Sequence, residues 1–156
     1  IGIHYQLQKE IEPGHIDRAS AVLKLLGMEE LGDREFKTLS PGQQRRCLLG
    51  RALVHDPDTL ILDEPTSGLD MSASFGYLRL IRELANKGRS LVLVTHHLNE
   101  IPPEINRVIL LKEGKIVADG LKNTVLTSRL ISDVYDTRIR IVQEDGYFLA
   151  YPGDRE

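Results

Sequence analysis

The sequence of 156 residues is poor in several features that would assign a class at once. It has a single cysteine, Cys47, so an internal disulfide is excluded, and its place in a helical, partly apolar pattern reads as a small core residue in a reduced setting. No apolar run approaches the roughly 20 residues that a membrane-spanning helix needs, and no charged-then-apolar leader opens the chain. A role at a membrane is therefore expected to run through a partner. Neither sign of charge dominates: 20 Lys and Arg against 23 Asp and Glu give a net charge of −3, with no electrostatic footprint for nucleic acid or an anionic bilayer. Internal repeats, low-complexity tracts and sustained heptads are absent. A phosphate loop of the form G-x-x-x-x-G-K-[ST] is also missing. The Gly114-Lys115 pair is followed by Ile116 and has Ile109 where the first glycine belongs, so it reads as a hairpin turn. Residue 1 is Ile rather than Met, which suggests a start inside a longer chain.

What is present suits one domain with a real core, since 41% of the residues are hydrophobic. Ile16, Ala19, Val22, Leu23 and Leu26 recur at helical spacing, with Gly27 as a C-terminal stop. Ser40-Pro-Gly-Gln43 has the pattern of a capping box with proline at the first helical position, which predicts a helix from there to about Val54, ended by His55-Asp-Pro-Asp58. Leu60-Ile-Leu62 and Leu91–Val94 are short apolar runs without alternation, read as strands covered on both faces. Between them Tyr77, Leu78, Ile81, Leu84 and Ala85 mark a helix closed by Gly88, giving a strand-helix-strand crossover of a parallel sheet. Val108–Leu111 and Ile116–Ala118 then flank a hairpin turn, a helix is expected over Leu121–Tyr135, and Arg138–Gln143 with Tyr147–Tyr151 form a second hairpin around Asp145-Gly146.

Three places can carry chemistry. Asp63 and Glu64 end a buried apolar strand, where parallel sheets place their ligands and where strand packing asks for no carboxylates. In phosphoryl transfer one such carboxylate holds Mg²⁺ and its neighbour orients or deprotonates the attacking water; on a loop the same pair is a solvated acidic cap. Ser40 and Gly42 open a helix whose N–H groups and dipole favour an anion, or serve as an ordinary N-cap. His96 follows Thr95 at the end of the next strand and can bridge a phosphate oxygen to a carboxylate. Periodicity does not separate it from His97.

Taken in order, Leu39-Ser-Pro-Gly-Gln43, Leu60-Ile-Leu-Asp-Glu-Pro65, Ser67-Gly-Leu-Asp70 and Thr95-His96 resemble the motifs of ATP-binding cassette (ABC) ATPase subunits. The resemblance implies an α/β chain with a partial P-loop NTPase fold: parallel strands, part of the helical subdomain and C-terminal β-hairpins. It forms a single partial nucleotide-binding domain over 1–156, divided into a helical-subdomain part (1–55) and the C-terminal part of the catalytic core (56–156). It implies that Asp63 is the Mg²⁺ aspartate, Glu64 the catalytic glutamate and His96 the switch histidine. Ser40, Gly42 and Gln43 are then the signature, and Asp70 belongs to the loop that joins two subunits. Pro41 departs from the family's usual first signature glycine and removes one N–H, while Gly42 keeps the second; His97 stands where Asp is common. The phosphate loop, the adenine-stacking aromatic and the glutamine loop are expected upstream of Ile1.

The resemblance further implies ATP and Mg²⁺ as ligands and a second nucleotide-binding subunit in a homodimer. It implies transmembrane permease subunits as partners, with neither nucleic acid nor direct membrane insertion, and a cytoplasmic place on the inner face of the plasma membrane. It points to an importer ATPase, with the 156 residues inactive alone. A non-transport ABC protein, or an inert module without a phosphate loop, remains as an alternative.

Overall fold

The structure, a computed structural model, describes residues 13–153. Its elements run in the order α1 (Pro13–Leu25), α2 (Pro41–Leu53), β1 (Thr59–Asp63), α3 (Met71–Asn86), β2 (Ser90–Val94), β3 (Arg107–Lys112), β4 (Lys115–Leu121), α4 (Lys122–Val125), α5 (Ser128–Tyr135), β5 (Ile139–Glu144) and β6 (Tyr147–Pro152), with short 3-10 turns between some of them. The described residues fall into two compact units, one containing residues up to Asp58 together with Gly68–Tyr77, the other Thr59–Ser67 with the residues from Leu78 on.

In the first unit, α1 stops as its glycine predicts. Gly27 has φ +62, its N–H donates to Lys24 O at 3.1 Å and the Met28 N–H to Leu23 O at 2.9 Å, the paired bonds of a Schellman cap. Helix α2 starts from a complete capping box: Ser40 Oγ accepts from the Gln43 N–H at 3.3 Å and Gln43 Oε1 from the Ser40 N–H at 2.9 Å, with Pro41 in the first turn. Its inner face buries Leu49, Gly50 and Leu53. A Cβ on Gly50 would lie 2.7 Å from Leu26 Cδ1 and 3.2 Å from Val22 Cγ1, so the bare glycine is what lets α1 approach α2.

In the second unit, β1 and β2 pair in parallel from Thr59↔Ser90 to Asp63↔Val94. Helix α3, whose residues from Leu78 onward belong here, buries Leu78, Ile81 and Leu84 and ends in another Schellman cap at Gly88, φ +84. It begins at Met71, earlier than its apolar pattern indicates. The expectation of strands covered on both faces is corrected: Leu60 is buried but Ile61 is 72% exposed, and Val92 and Val94 are about half exposed. Side chains alternate across a strand, and among the described residues only one face of this two-stranded sheet is covered. Both predicted hairpins form, each on a two-residue loop with positive φ at both positions, Glu113-Gly114 and Asp145-Gly146, the geometry that matches strand twist. The single helix expected over Leu121–Tyr135 is two helices. Leu126 leaves helical geometry, and Thr127 Oγ1 then accepts from the Leu130 N–H at 3.3 Å to cap α5. The break turns Leu126 and Ile131 into one core with Ile101 and Phe148.

Gly50→Ala should test the α1–α2 contact. Helix propensity alone favours alanine by about 1 kcal/mol, whereas overpacking costs about 1–3 kcal/mol, so a net destabilisation on the order of 1 kcal/mol is expected in urea unfolding. A stabilised variant would show that Leu26 and Val22 yield without cost.

Candidate functional site

The residues singled out in the sequence lie in two groups. In the first unit, the capping box that starts α2 also accounts for its N–H groups. Pro41 has none, the Gln43 N–H is held by Ser40 Oγ and the Gln44 N–H by Ser40 O at 2.8 Å. Among the described residues the Gly42 N–H is thus the donor this turn leaves to an outside acceptor. Gly42 also has a packing reason to be bare, because a Cβ there would sit 3.0 Å from the Ala73 Cβ. That contact brings the start of α2 against the start of α3, where Asp70 Oδ1 accepts the Ala73 N–H at 2.8 Å and so caps α3. Ser40, Gly42, Gln43 and Asp70 therefore share one place, two adjoining helix N-termini, which is electropositive by virtue of its aligned peptides.

In the second unit, Asp63 and Glu64 follow from where β1 ends. The Glu64 N–H donates to Val94 O at 2.8 Å, extending the ladder by one bond, and the chain then leaves the sheet with Glu64 at φ +40. A non-glycine residue in this left-handed region stores strain on the order of 1 kcal/mol, and such strain concentrates at functional positions. The register sets Asp63 beside Val94, two residues before His96, and the ring reaches back: His96 Nδ1 lies 2.8 Å from Glu64 Oε1. Both side chains are about half exposed, so the pair adds no more than about 1 kcal/mol to stability. Its value is orientation. An ionised Glu64 only accepts, so Nδ1 carries the proton, and contact with a further group falls to Nε2. Among the described residues the His97 ring has no such carboxylate partner; its backbone N–H donates to Thr95 Oγ1 at 3.0 Å and its ring stands 3.9 Å from that of His96. Thr95 Oγ1 in turn donates to Glu100 Oε2 at 3.0 Å, closing the turn behind the histidines.

Sequence reasoning missed two features here. The Glu64 backbone conformation has no sequence signal, as glutamate shows no preference for positive φ and a residue before proline is usually extended. Thr66 is 3% exposed, and its Oγ1 has no partner among the described residues, a placement that only the folded chain reveals.

Residues 4–67 match the family described as ABC transporter. The chain is 39% identical over 153 residues to an uncharacterized ABC transporter ATP-binding protein, YlmA of Bacillus subtilis, covering 96% of this chain and 56% of that protein. The chain belongs to the ABC transporter ATP-binding domain family. It is 39% identical over 112 residues to the hemin import ATP-binding protein HmuV of Aliivibrio fischeri, covering 69% of this chain and 43% of that protein. Among solved structures it resembles an inward-facing ABC transporter described as of metal-chelate type, with TM-score 0.81, 26% identity and coverage of 96% of this chain and 60% of that one. This ABC domain chain spans a little over half the length of the first curated relative it matches.

Asp70 in this ABC domain has a structural duty that is separable from any nucleotide. Asp70→Ala should cost about 1 kcal/mol in chemical denaturation through loss of the α3 cap, and Asp70→Asn should retain most of it. Equal losses in the two variants would assign the effect to charge instead.

Proposed function

We propose that this chain is part of the ATP-hydrolysing subunit of an ABC transporter, and that its own residues supply a metal-facing aspartate, a water-orienting glutamate, a switch histidine and a signature that serves a partner's nucleotide. The observation that carries the reading is the 2.8 Å bond between His96 Nδ1 and Glu64 Oε1 at the C-terminal ends of two parallel strands. Open parallel sheets bind ligands at this edge, and a paired carboxylate and imidazole there suits general base chemistry.

The donors fit Mg²⁺. Among the described residues no cluster of three or more His, Cys, Asp or Glu forms a metal cage. Mg²⁺ does not ask for one, since it takes one or two carboxylates and completes its shell with water and substrate phosphates. Asp63 is the exposed carboxylate that would hold it, and the bound ion would neutralise charge on the transferred phosphoryl group. Glu64 keeps Oε2 for the attacking water while Oε1 is tied to His96. His96 presents Nε2 to a phosphate oxygen when the ring carries both protons. Gly42 offers its N–H, and Ser40 its hydroxyl, to a nucleotide held by a second nucleotide-binding subunit, the arrangement that the family resemblance implies. Residues 1–55 are assigned to the helical-subdomain part and 56–156 to the catalytic-core part.

An importer is favoured because relatives of this chain are a hemin import ATP-binding protein and a transporter described as of metal-chelate type. Among the described residues no helix is long and apolar enough to cross a membrane. Coupling to transport then runs through transmembrane permease subunits, with this subunit held at the cytoplasmic face as a homodimer.

In a subunit that joins these residues to a phosphate loop, Glu64→Gln should retain Mg-ATP binding while turnover falls about 100-fold or more. Turnover near the parent value would move the base to another residue. His96→Ala should largely abolish steady-state hydrolysis and His97→Asp should be nearly silent; the reverse would transfer the switch to His97. Asp63→Asn should raise the Mg²⁺ concentration needed for activity, and an unchanged Mg²⁺ titration would remove it from the metal site.

The 156 residues alone are a separate case. Most attraction for nucleotide phosphates comes from phosphate-loop N–H groups and lysine, none of which this sequence contains. Calorimetry on the chain with Mg-ATP should give binding no tighter than about millimolar, near −4 kcal/mol, and no hydrolysis. Micromolar affinity would demand a nucleotide site elsewhere in the chain.

A further inference from the structure

The segment that follows the switch histidine has an unusual difficulty in being held still. Ile101-Pro102-Pro103-Glu104 contains two consecutive prolines and so lacks two N–H groups, leaving its carbonyls as the main backbone handles. Pro102 is fully buried, and its carbonyl already accepts from the Ile105 N–H at 3.1 Å.

One side chain supplies further donors to the two proline carbonyls. Lys122 is 6% exposed, and its Nζ donates to Pro102 O at 3.0 Å, to Pro103 O at 3.2 Å and to Gly146 O at 3.2 Å. An ammonium has three N–H donors, and three carbonyls meet them. The cation also stands 5.7 Å from the centroid of the Phe148 ring. Its own backbone N–H is bonded to Asn106 O at 2.7 Å. Burial pushes the Lys122 ammonium below its ordinary range and the Glu104 charge opposes this. An apolar side chain would avoid that desolvation, so stability is a weak reason for a charge here.

What the ammonium joins is informative. Pro102 and Pro103 end the turn that begins at His96, and Gly146 is the tip of the β5–β6 hairpin. A second tie lies alongside: Arg82 Nε donates to both Glu104 oxygens at 2.8 and 3.0 Å, and Arg82 Nη1 to Tyr147 Oη at 3.4 Å. The turn between is short and braced, with Thr95 bonded to Glu100 and Ile101 in the core beside Phe148. We propose that Lys122 is a positioning residue that clasps the 96–103 turn to the C-terminal hairpin and thereby holds His96 against Glu64. The hairpin is then a lever on the switch: anything that pulls Gly146 away from Pro103 alters the His96–Glu64 bond.

The proposal rests on the catalytic reading of His96 only for its kinetic consequence, and the experiment separates the two. Two-bond ¹H–¹⁵N spectra of the histidine rings in the full chain report whether His96 Nδ1 carries the bonded proton. In Lys122→Met, which keeps the apolar stem, the His96 signals should move toward those of the exposed His15 and His55. Lys112→Met, which removes a lysine bonded to Asp133 O and Asp136 on the neighbouring surface, should leave them in place. If Lys122→Met does not fold, Gly146→Ala serves instead: its Cβ would press on Pro103 Cβ at 3.0 Å in a backbone of φ +79 while Lys122 stays in place. A folded variant at either position with unchanged His96 signals overturns the clasp. In a subunit with a phosphate loop, Lys122→Met should lower kcat about 10- to 100-fold with KM for ATP nearly unchanged, the size of effect expected from misplacing a catalytic group by about 1 Å. Moved ring signals with an unaltered kcat would keep the clasp and remove His96 from the reaction.

Discussion

The in-register parallel pairing of β1 with β2 is the constraint on which the candidate site depends. Each strand is only five residues long, so a slip of one residue would exchange the faces of every side chain and carry His96 away from Glu64. The extra bond from the Glu64 N–H to Val94 O clamps the ladder at the end that carries the candidate site. Beyond it, Glu64 takes a strained backbone conformation, and strain of that kind persists only where the surroundings over-determine it. The pairing, the additional bond and the reach of His96 Nδ1 to Oε1 together supply that over-determination.

Around this edge the second unit is organised by devices that use few residues. Two Xaa-Gly turns set the registers of the β3–β4 and β5–β6 hairpins, because φ is positive at both turn positions and the backbone twist then matches that of the strands. Ile101, Leu126, Ile131 and Phe148, drawn from a turn, a helix break, a helix and a strand, close one core over those hairpins. Lys122 then ties the turn behind the histidines to the second hairpin with a fully satisfied ammonium. A buried polar group with every donor met rigidifies its surroundings, and the same group half satisfied would destabilise them.

The first unit solves a different problem, the close approach of helices. Gly50 admits Leu26 and Val22, and Gly42 admits Ala73, so each glycine stands where a methyl group would collide. At Gly42 the packing reason coincides with the proposed signature role. A bare backbone at a helix start lets Ala73 approach and equally leaves one N–H accessible to a phosphate. The capping box occupies the neighbouring donors, which narrows what the turn offers to that single N–H and the Ser40 hydroxyl.

How much was legible follows from how local each cause is. The capping box at Ser40, the glycine stops at Gly27 and Gly88, the crossover between two apolar strands and the turns at Gly114 and Gly146 were all readable, since each depends on a few consecutive residues. Asp63, Glu64 and His96 were readable as a group through their order along the chain. The exposed face of β1 was not, because Leu60-Ile-Leu62 is apolar throughout and coverage is a property of what packs on the sheet. The break at Leu126 was hidden for the same reason: periodicity continues across it, and the core position of Ile131 decides it. The sequence by itself determined the helix caps, the turns and the candidate chemistry. Only tertiary structure decided that His96 rather than His97 meets Glu64, that Glu64 bears the strain, and that Lys122 is buried on three carbonyls, since each depends on atoms brought together from distant parts of the chain.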